Sequence, residues 1–97
     1  MLKRFYSHYT FIYPDIYLKN HIVECDDRGR IVACYPFEKE IESTQFFNGM
    51  LFFVPQHIAV ENVKLPEKFT QFAGGNSSML ECEYLIYDEH KRQLMLR

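Results

Sequence analysis

Apolar and polar residues alternate with a period of two along much of this chain, the pattern of half-buried strands. Residues 5–13, Phe-Tyr-Ser-His-Tyr-Thr-Phe-Ile-Tyr, are all strand formers or tolerated in strands. Strict alternation assigns Phe5, Ser7, Tyr9, Phe11 and Tyr13 to one face, and Tyr6, His8, Thr10 and Ile12 to the other. Pro14-Asp15 breaks the run. Residues 21–35 read as a hairpin, two largely apolar arms flanking Asp26-Asp27-Arg28-Gly29-Arg30. Asp26 suits the first position of a type I turn, and Gly29 supplies the positive φ of the bulge that follows. With Asp26 opposite Arg30, Cys25 faces Ile31, Val23 faces Ala33 and Ile22 faces Cys34. That register puts Cys25 and Cys34 on opposite faces of the ribbon, where they cannot form a disulfide.

A second hairpin is predicted over residues 46–54. Asn48-Gly49 lies between two apolar arms there, and both residues tolerate the positive φ of a tight turn. The arm after it alternates little, which suggests burial on both faces, and Pro55 closes it. Residues 56–72 fit neither period. Pro66-Glu67-Lys68 places proline at a first helical position with an acid behind it, so a short helix is expected over 66–72. Gly74 to Ser78 is a loop. Residues 80–97 form a third hairpin candidate with its turn inside Asp88-Glu89-His90-Lys91-Arg92. Its layout repeats that of 21–35, because both turns follow similar chemistry. Six to eight short strands with little helix predict one mainly β domain over residues 1–97, a small β-sandwich or half-barrel.

Ninety-seven residues support one small core, well short of the roughly 250 residues of a TIM barrel. The composition is 47% hydrophobic, and nine Phe and seven Tyr raise the aromatic share to 16%. Eleven basic residues against thirteen acidic give a net charge of −2, without the clustered basic face that nucleic acid requires. No apolar run approaches 18 residues, so no membrane span is expected. No signal-peptide pattern opens the chain, and three cysteines read as reduced thiols, so the expected compartment is the cytoplasm.

Candidate chemistry is sparse. The four His stand at 8, 21, 57 and 90, and no Cys or His pair has zinc-site spacing. His21 and Cys25 would lie about 13 Å apart on a strand, at roughly 3.3 Å per residue, too far to share a metal. Asp26 and Asp27 beside Cys25, and Glu81 and Glu83 around Cys82, oppose thiolate formation. The three cysteines therefore read as small core residues. Glu38, Glu40 and Glu42 read as solvated. Tyr6, Tyr9, Tyr13 and Tyr17 with Phe5 and Phe11 could stack on bases or sugars, but without interleaved basic residues they fit a core and an apolar contact surface better. The singled-out positions are thus the turn residues Asp26, Gly29, Asn48 and Gly49; no catalytic, cofactor or metal residue is assigned.

These turns carry a resemblance. Leu18-Lys19-Asn20-His21, Asp27-Arg28-Gly29-Arg30-Ile31, Phe47-Asn48-Gly49-Met50-Leu51 and Val54-Pro55 resemble the N-terminal β segment of the amidohydrolase superfamily, in its chlorohydrolase and deaminase-like branch. That segment runs strand, Leu-x-Asn-Gly, strand, Asp-x-x-Gly-Arg-Ile, strand, and then Tyr-Asn-Gly-Ile-Leu-x-Pro-Gly-Phe-Val-Asn before a metal-binding His-x-His. Aligned on Pro55, the His-x-His falls near Glu61-Asn62-Val63, and none occurs in the chain. The resemblance implies a composite β domain in which residues 80–97 return to complete the first half, with 56–79 in place of the catalytic barrel. It implies no metal, no cofactor and no hydrolase activity. The function expected is a non-catalytic module acting through protein contacts or self-association on an apolar aromatic face. The alternatives are a small-ligand module with an aromatic-lined cavity between sheets, or a small enzyme pairing His21, His57 or His90 with Cys82 or a carboxylate.

Overall fold

A computed structural model describes residues 2–13, 15–69 and 83–94. The chain is mainly β, with strands β1 (Lys3–Ile12), β2 (Ile16–Cys25), β3 (Ile31–Pro36), β4 (Thr44–Pro55) and β5 (Tyr84–Tyr87). They form one mixed sheet in the order β3-β2-β1-β4-β5. The five strands among the described residues come close to the six to eight expected, and the described residues contain one sheet. Among the described residues the one helical element is a 3-10 turn at Val60–Asn62. Residues 66–69 of the expected helix are not helical. Residues 70–72, the loop at 74–78, Cys82 and the outer ends of the last hairpin lie outside the described residues.

The largest departure is at Asn48-Gly49. No hairpin forms; β4 runs straight through both residues and pairs parallel with β1 from Arg4↔Thr44 to Ile12↔Phe53. Neither residue has the positive φ that a tight two-residue turn needs. The reason is reach. A hairpin here would give Phe46-Phe47 a two-residue arm, whereas the neighbouring ten-residue β1 offers a full ladder on either side of the dipeptide. Asn48 and Gly49 together face the single residue His8, which makes a bulge between the pairs Ser7↔Phe47 and Tyr9↔Met50. The Glu89 carboxylate occupies the space beside Gly49 that a Cβ would take.

The same bulge reverses β1. Phe5 and Ile12 belong to one core cluster, whereas Phe11 belongs to another, with Tyr13 packed against it. Strict alternation would have put Phe5 and Phe11 together. Instead the phase slips by one residue at His8–Tyr9, so Phe5, Ser7, Thr10 and Ile12 point inward and Tyr6, Tyr9 and Phe11 outward. Two fully buried hydroxyls hold the slip. Ser7 Oγ donates to the carbonyl of Tyr9 at 2.8 Å, and lies 2.7 Å from Thr10 Oγ1. Ser7 has one proton, and it is committed to Tyr9, so Thr10 is the donor in the second bond. Across the ladder Asn20 takes φ 56, between the pairs Ser7↔His21 and Tyr9↔Lys19. Asparagine is among the few side chains that visit this region readily.

The sheet therefore carries two cores. The inner one gathers Phe5, Ile12, Leu18, Ile31, Phe53 and Ile86. The outer one sets Phe11, Phe52 and Val54 beneath Val60 and Val63 of the segment after β4. The sheet curls until opposite edges touch. Arg30, just before β3, bridges Glu83, just before β5, and Tyr84 N donates to Gly29 O at 2.9 Å. This is half-barrel geometry.

Two turns of one design fix these corners. In each, an Asp carboxylate accepts from two backbone N–H groups: Asp26 from Arg28 and Arg30, Asp88 from His90 and Arg92. Each Asp also pairs with the Arg four residues on. Each turn puts a positive φ in its fourth place, Gly29 at 82° and Lys91 at 61°. The β2–β3 register starts as expected, with Cys25 opposite Ile31. A bulge then sets Glu24 opposite Ala33 and Val23 opposite Cys34. That shift corrects the facing of the thiols. Cys25 and Cys34 both lie against the inner core, as free cysteines.

Three outcomes follow for urea-unfolding measurements. Ser7→Ala and Thr10→Val are each expected to lose about 1–3 kcal/mol, and the double variant less than their sum, because the pair is one network. Gly29→Ala should lose about 2 kcal/mol or more, since its Cβ would sit 2.5 Å from Tyr84 O at a left-handed φ. Lys91→Gly should gain roughly 0.5 kcal/mol, the relief of its φ less its contact over the Phe52 ring.

Candidate functional site

The outward side chains of β1 organise the surface. Tyr6 meets Phe37 at 4.9 Å and Phe46 at 5.5 Å between ring centroids, and its edge meets His8 at 5.9 Å. Phe37 opens the link from β3 to β4, held there by its N–H donating to Asn20 O at 2.9 Å. The Tyr6 hydroxyl donates to Asn20 Oδ1 at 2.8 Å. Asn20 thus serves the slip in β1 and the aromatic group above it. Phe46 is 49% exposed at the end of this group. Further along the same face Phe69 stacks on Tyr17 at 4.6 Å and on Tyr9 at 5.9 Å, and Phe69 is 46% exposed. The result is a partly exposed aromatic ridge on the outer face. Tyr6, Tyr9 and Tyr17 belong to it, whereas Phe5 and Phe11 are core.

A polar network anchors one end of the ridge. Arg4 Nε donates to Glu24 Oε2 at 2.9 Å and Tyr35 Oη donates to the same oxygen at 2.6 Å. Arg4 Nη1 also donates to Glu42 O at 3.2 Å, and Thr44 Oγ1 to Ile41 O at 2.7 Å, tying the 37–43 link to the sheet. The Glu24 side chain is only 14% exposed. Its pKa lies below the usual carboxylate value because Tyr35 and Arg4 donate to the charged form, against the opposing effect of burial. Burial and the Glu24 bond push the Tyr35 hydroxyl up. Sequence reasoning missed this trio. Arg4 and Glu24 are twenty residues apart, and only the β1–β2 register sets them opposite each other.

The residues considered for chemistry are dispersed. Burial pushes Cys25 and Cys34 up to about 12, with the Asp26 charge adding to the effect at Cys25, so both are protonated thiols at neutral pH. His21 Nδ1 lies 2.8 Å from Lys19 O. His57 is exposed. His90 Nε2 stands 3.7 Å from Glu89 Oε1, with both side chains more than half in solvent. This pair lines an open cleft of about 280 Å³ with Phe47, Met50, Arg92 and Leu94. Another of about 200 Å³ lies at Ile22, Tyr35 and Ile41. Both fall just short of the roughly 300–1,000 Å³ usual for ligand pockets, and both are on the surface of one sheet and not between two. Glu38, Glu40 and Glu42 are exposed, on the link and not on a strand face. Asp26 and Gly29 make the β2–β3 turn; Asn48 and Gly49 make the β4 bulge. Among the described residues, no three of His, Cys, Asp and Glu are grouped to hold a metal, and no helix is long and apolar enough to cross a membrane.

No protein-family model, curated protein or solved structure matches the chain.

The Glu24 network has a defined pH dependence. A depressed folded pKa contributes stability that is present above the ordinary carboxylate pKa and lost as pH falls through the folded value. Glu24→Gln should therefore be less stable than the parent at pH 7, by about 1–3 kcal/mol. The gap should narrow as pH drops below the usual carboxylate range. Thermal melts of both proteins across pH 2–7 would measure this, and a gap that stays constant would contradict it.

Proposed function

We propose that this chain is a non-catalytic β module, akin to the accessory β domain of amidohydrolases, that works by protein contact and self-association through its outer face. The observation that carries this is the aromatic ridge ending in Phe46, which is half exposed although its own strand runs on into the core at Leu51–Val54. Large aromatic side chains at a rim are the usual anchors of protein interfaces. The buried, protonated thiols and the solvent-exposed His90–Glu89 pair favour contact over nucleophilic chemistry. The kinship with amidohydrolases is supported by the return of residues 84–94 to the sheet built by residues 3–55, with β5 against β4.

Sedimentation velocity over a range of protein concentrations tests the reading. Reversible, concentration-dependent association is expected. A species that stays monomeric at the highest concentrations and takes up a small ligand in the Phe47–Leu94 cleft would contradict it.

A further inference from the structure

We propose that Asn48-Gly49 is a site of spontaneous backbone modification, at which the folded chain converts Asn48 to aspartate and isoaspartate. The inference goes beyond the contact reading and does not depend on it. The chemistry needs only water. Gly49 N bonds to Asn48 Cγ, the Cγ–Nδ2 bond breaks, and the Gly49 amide proton leaves with Nδ2 as ammonia. The resulting five-membered imide then takes up water at either carbonyl. Opening at one gives aspartate at position 48. Opening at the other gives isoaspartate, with the backbone running through the side chain. No oxidant or reductant takes part.

Glycine puts no side chain in the way of the attacking nitrogen. In a regular strand the ladder would still hold both residues in place. Here a bulge disrupts it. Asn48 and Gly49 stand between the pairs Ser7↔Phe47 and Tyr9↔Met50, outside the register with β1. Among the described residues β5 begins pairing only at Phe52, so no strand flanks the dipeptide on the other side. Asn48 is exposed, and both residues line the open cleft of about 280 Å³, where water reaches them. The other described asparagines lack this setting. Asn20 Oδ1 accepts from the Tyr6 hydroxyl, and the following His21 is paired on both sides, with Ser7 and Pro36. Asn62 precedes Val63, which is buried and β-branched and crowds the nitrogen that would attack.

The product changes the cleft. Asp88 and Glu89 line it already, with the Glu89 carboxylate beside Gly49. The basic side chains there, Arg92 and His90, already stand beside Asp88 and Glu89. A carboxylate at position 48 therefore meets like charge with no cation left to pair with it. Repulsion pushes Glu89 away and loosens the Asp88–Arg92 turn against β4.

The test is peptide mapping by mass spectrometry, with isoaspartate labelling, on the full chain incubated at neutral pH both folded and in urea. The folded chain is expected to form aspartate and isoaspartate at position 48 at a rate within about tenfold of the unfolded chain, because the bulge leaves the dipeptide free to close. Asn20 and Asn62 should convert more slowly than Asn48 in the folded chain. The Asn48→Gln variant should give no such product at that position. A folded rate more than about tenfold below the unfolded one would mean that the strand still holds the dipeptide, and would overturn the proposal. Thermal melts test the consequence. Asn48→Asp should lower the midpoint in the parent, and the loss should shrink when Glu89→Gln is also present. Asn48 is exposed, so these variants should fold, which circular dichroism would verify. No loss, or an equal loss in both backgrounds, would overturn the charge effect and leave the modification standing.

Discussion

A strand that packs on both sides of a sheet must either be apolar throughout or change face along its length. β1 changes face. The change puts the hydroxyls of Ser7 and Thr10 at full burial, where an unpaired polar group costs more than a typical hydrogen bond contributes. Ser7 and Thr10 remove that cost with two short hydroxyl bonds. Much of the architecture hangs on this. Phe5 and Ile12 reach the inner core, Phe11 reaches the outer one, and Tyr6 and Tyr9 are left on the surface as a ridge.

The bulge also explains how a short chain builds two hydrophobic clusters from one sheet. The extra residue in β4 keeps Phe47, Leu51 and Phe53 in step with the reversed β1. Curling follows, because a bulge increases local twist. The two Asp-anchored turns then hold the corners where the sheet meets itself: Gly29 lies so close to β5 that its carbonyl takes the Tyr84 proton, and Gly49 yields the space that Glu89 fills. Turn chemistry and sheet closure are one constraint in this molecule.

Local signals were legible. The β2–β3 hairpin, its Asp26 and Gly29 chemistry, the kindred turn at Asp88–Arg92 and the mainly β character could all be read from residue types and spacing. Features set by partners distant in sequence could not. Asn48-Gly49 has the composition of a tight turn, and only competition from β1 makes it a bulge. Alternation in residues 5–13 looks unbroken, because Tyr and Phe suit either face and the two hydroxyls that mark the slip are ordinary strand residues. The same limit hid the Arg4–Glu24–Tyr35 trio and put Cys34 on the wrong face by one residue. Phe46 could be seen as apolar, but its exposure depends on where β5 stops.

The reversal of β1 is the claim on which the two cores and the ridge depend. Side-chain proximities by nuclear Overhauser NMR test it most directly. The account predicts that Phe5 and Ile12 share a set of neighbours that includes Phe53 and Ile86, whereas Phe11 contacts Val60 and Val63. Cross-peaks uniting Phe5 and Phe11 in one cluster, with Ile12 in the other, would show an unbroken alternation and contradict it.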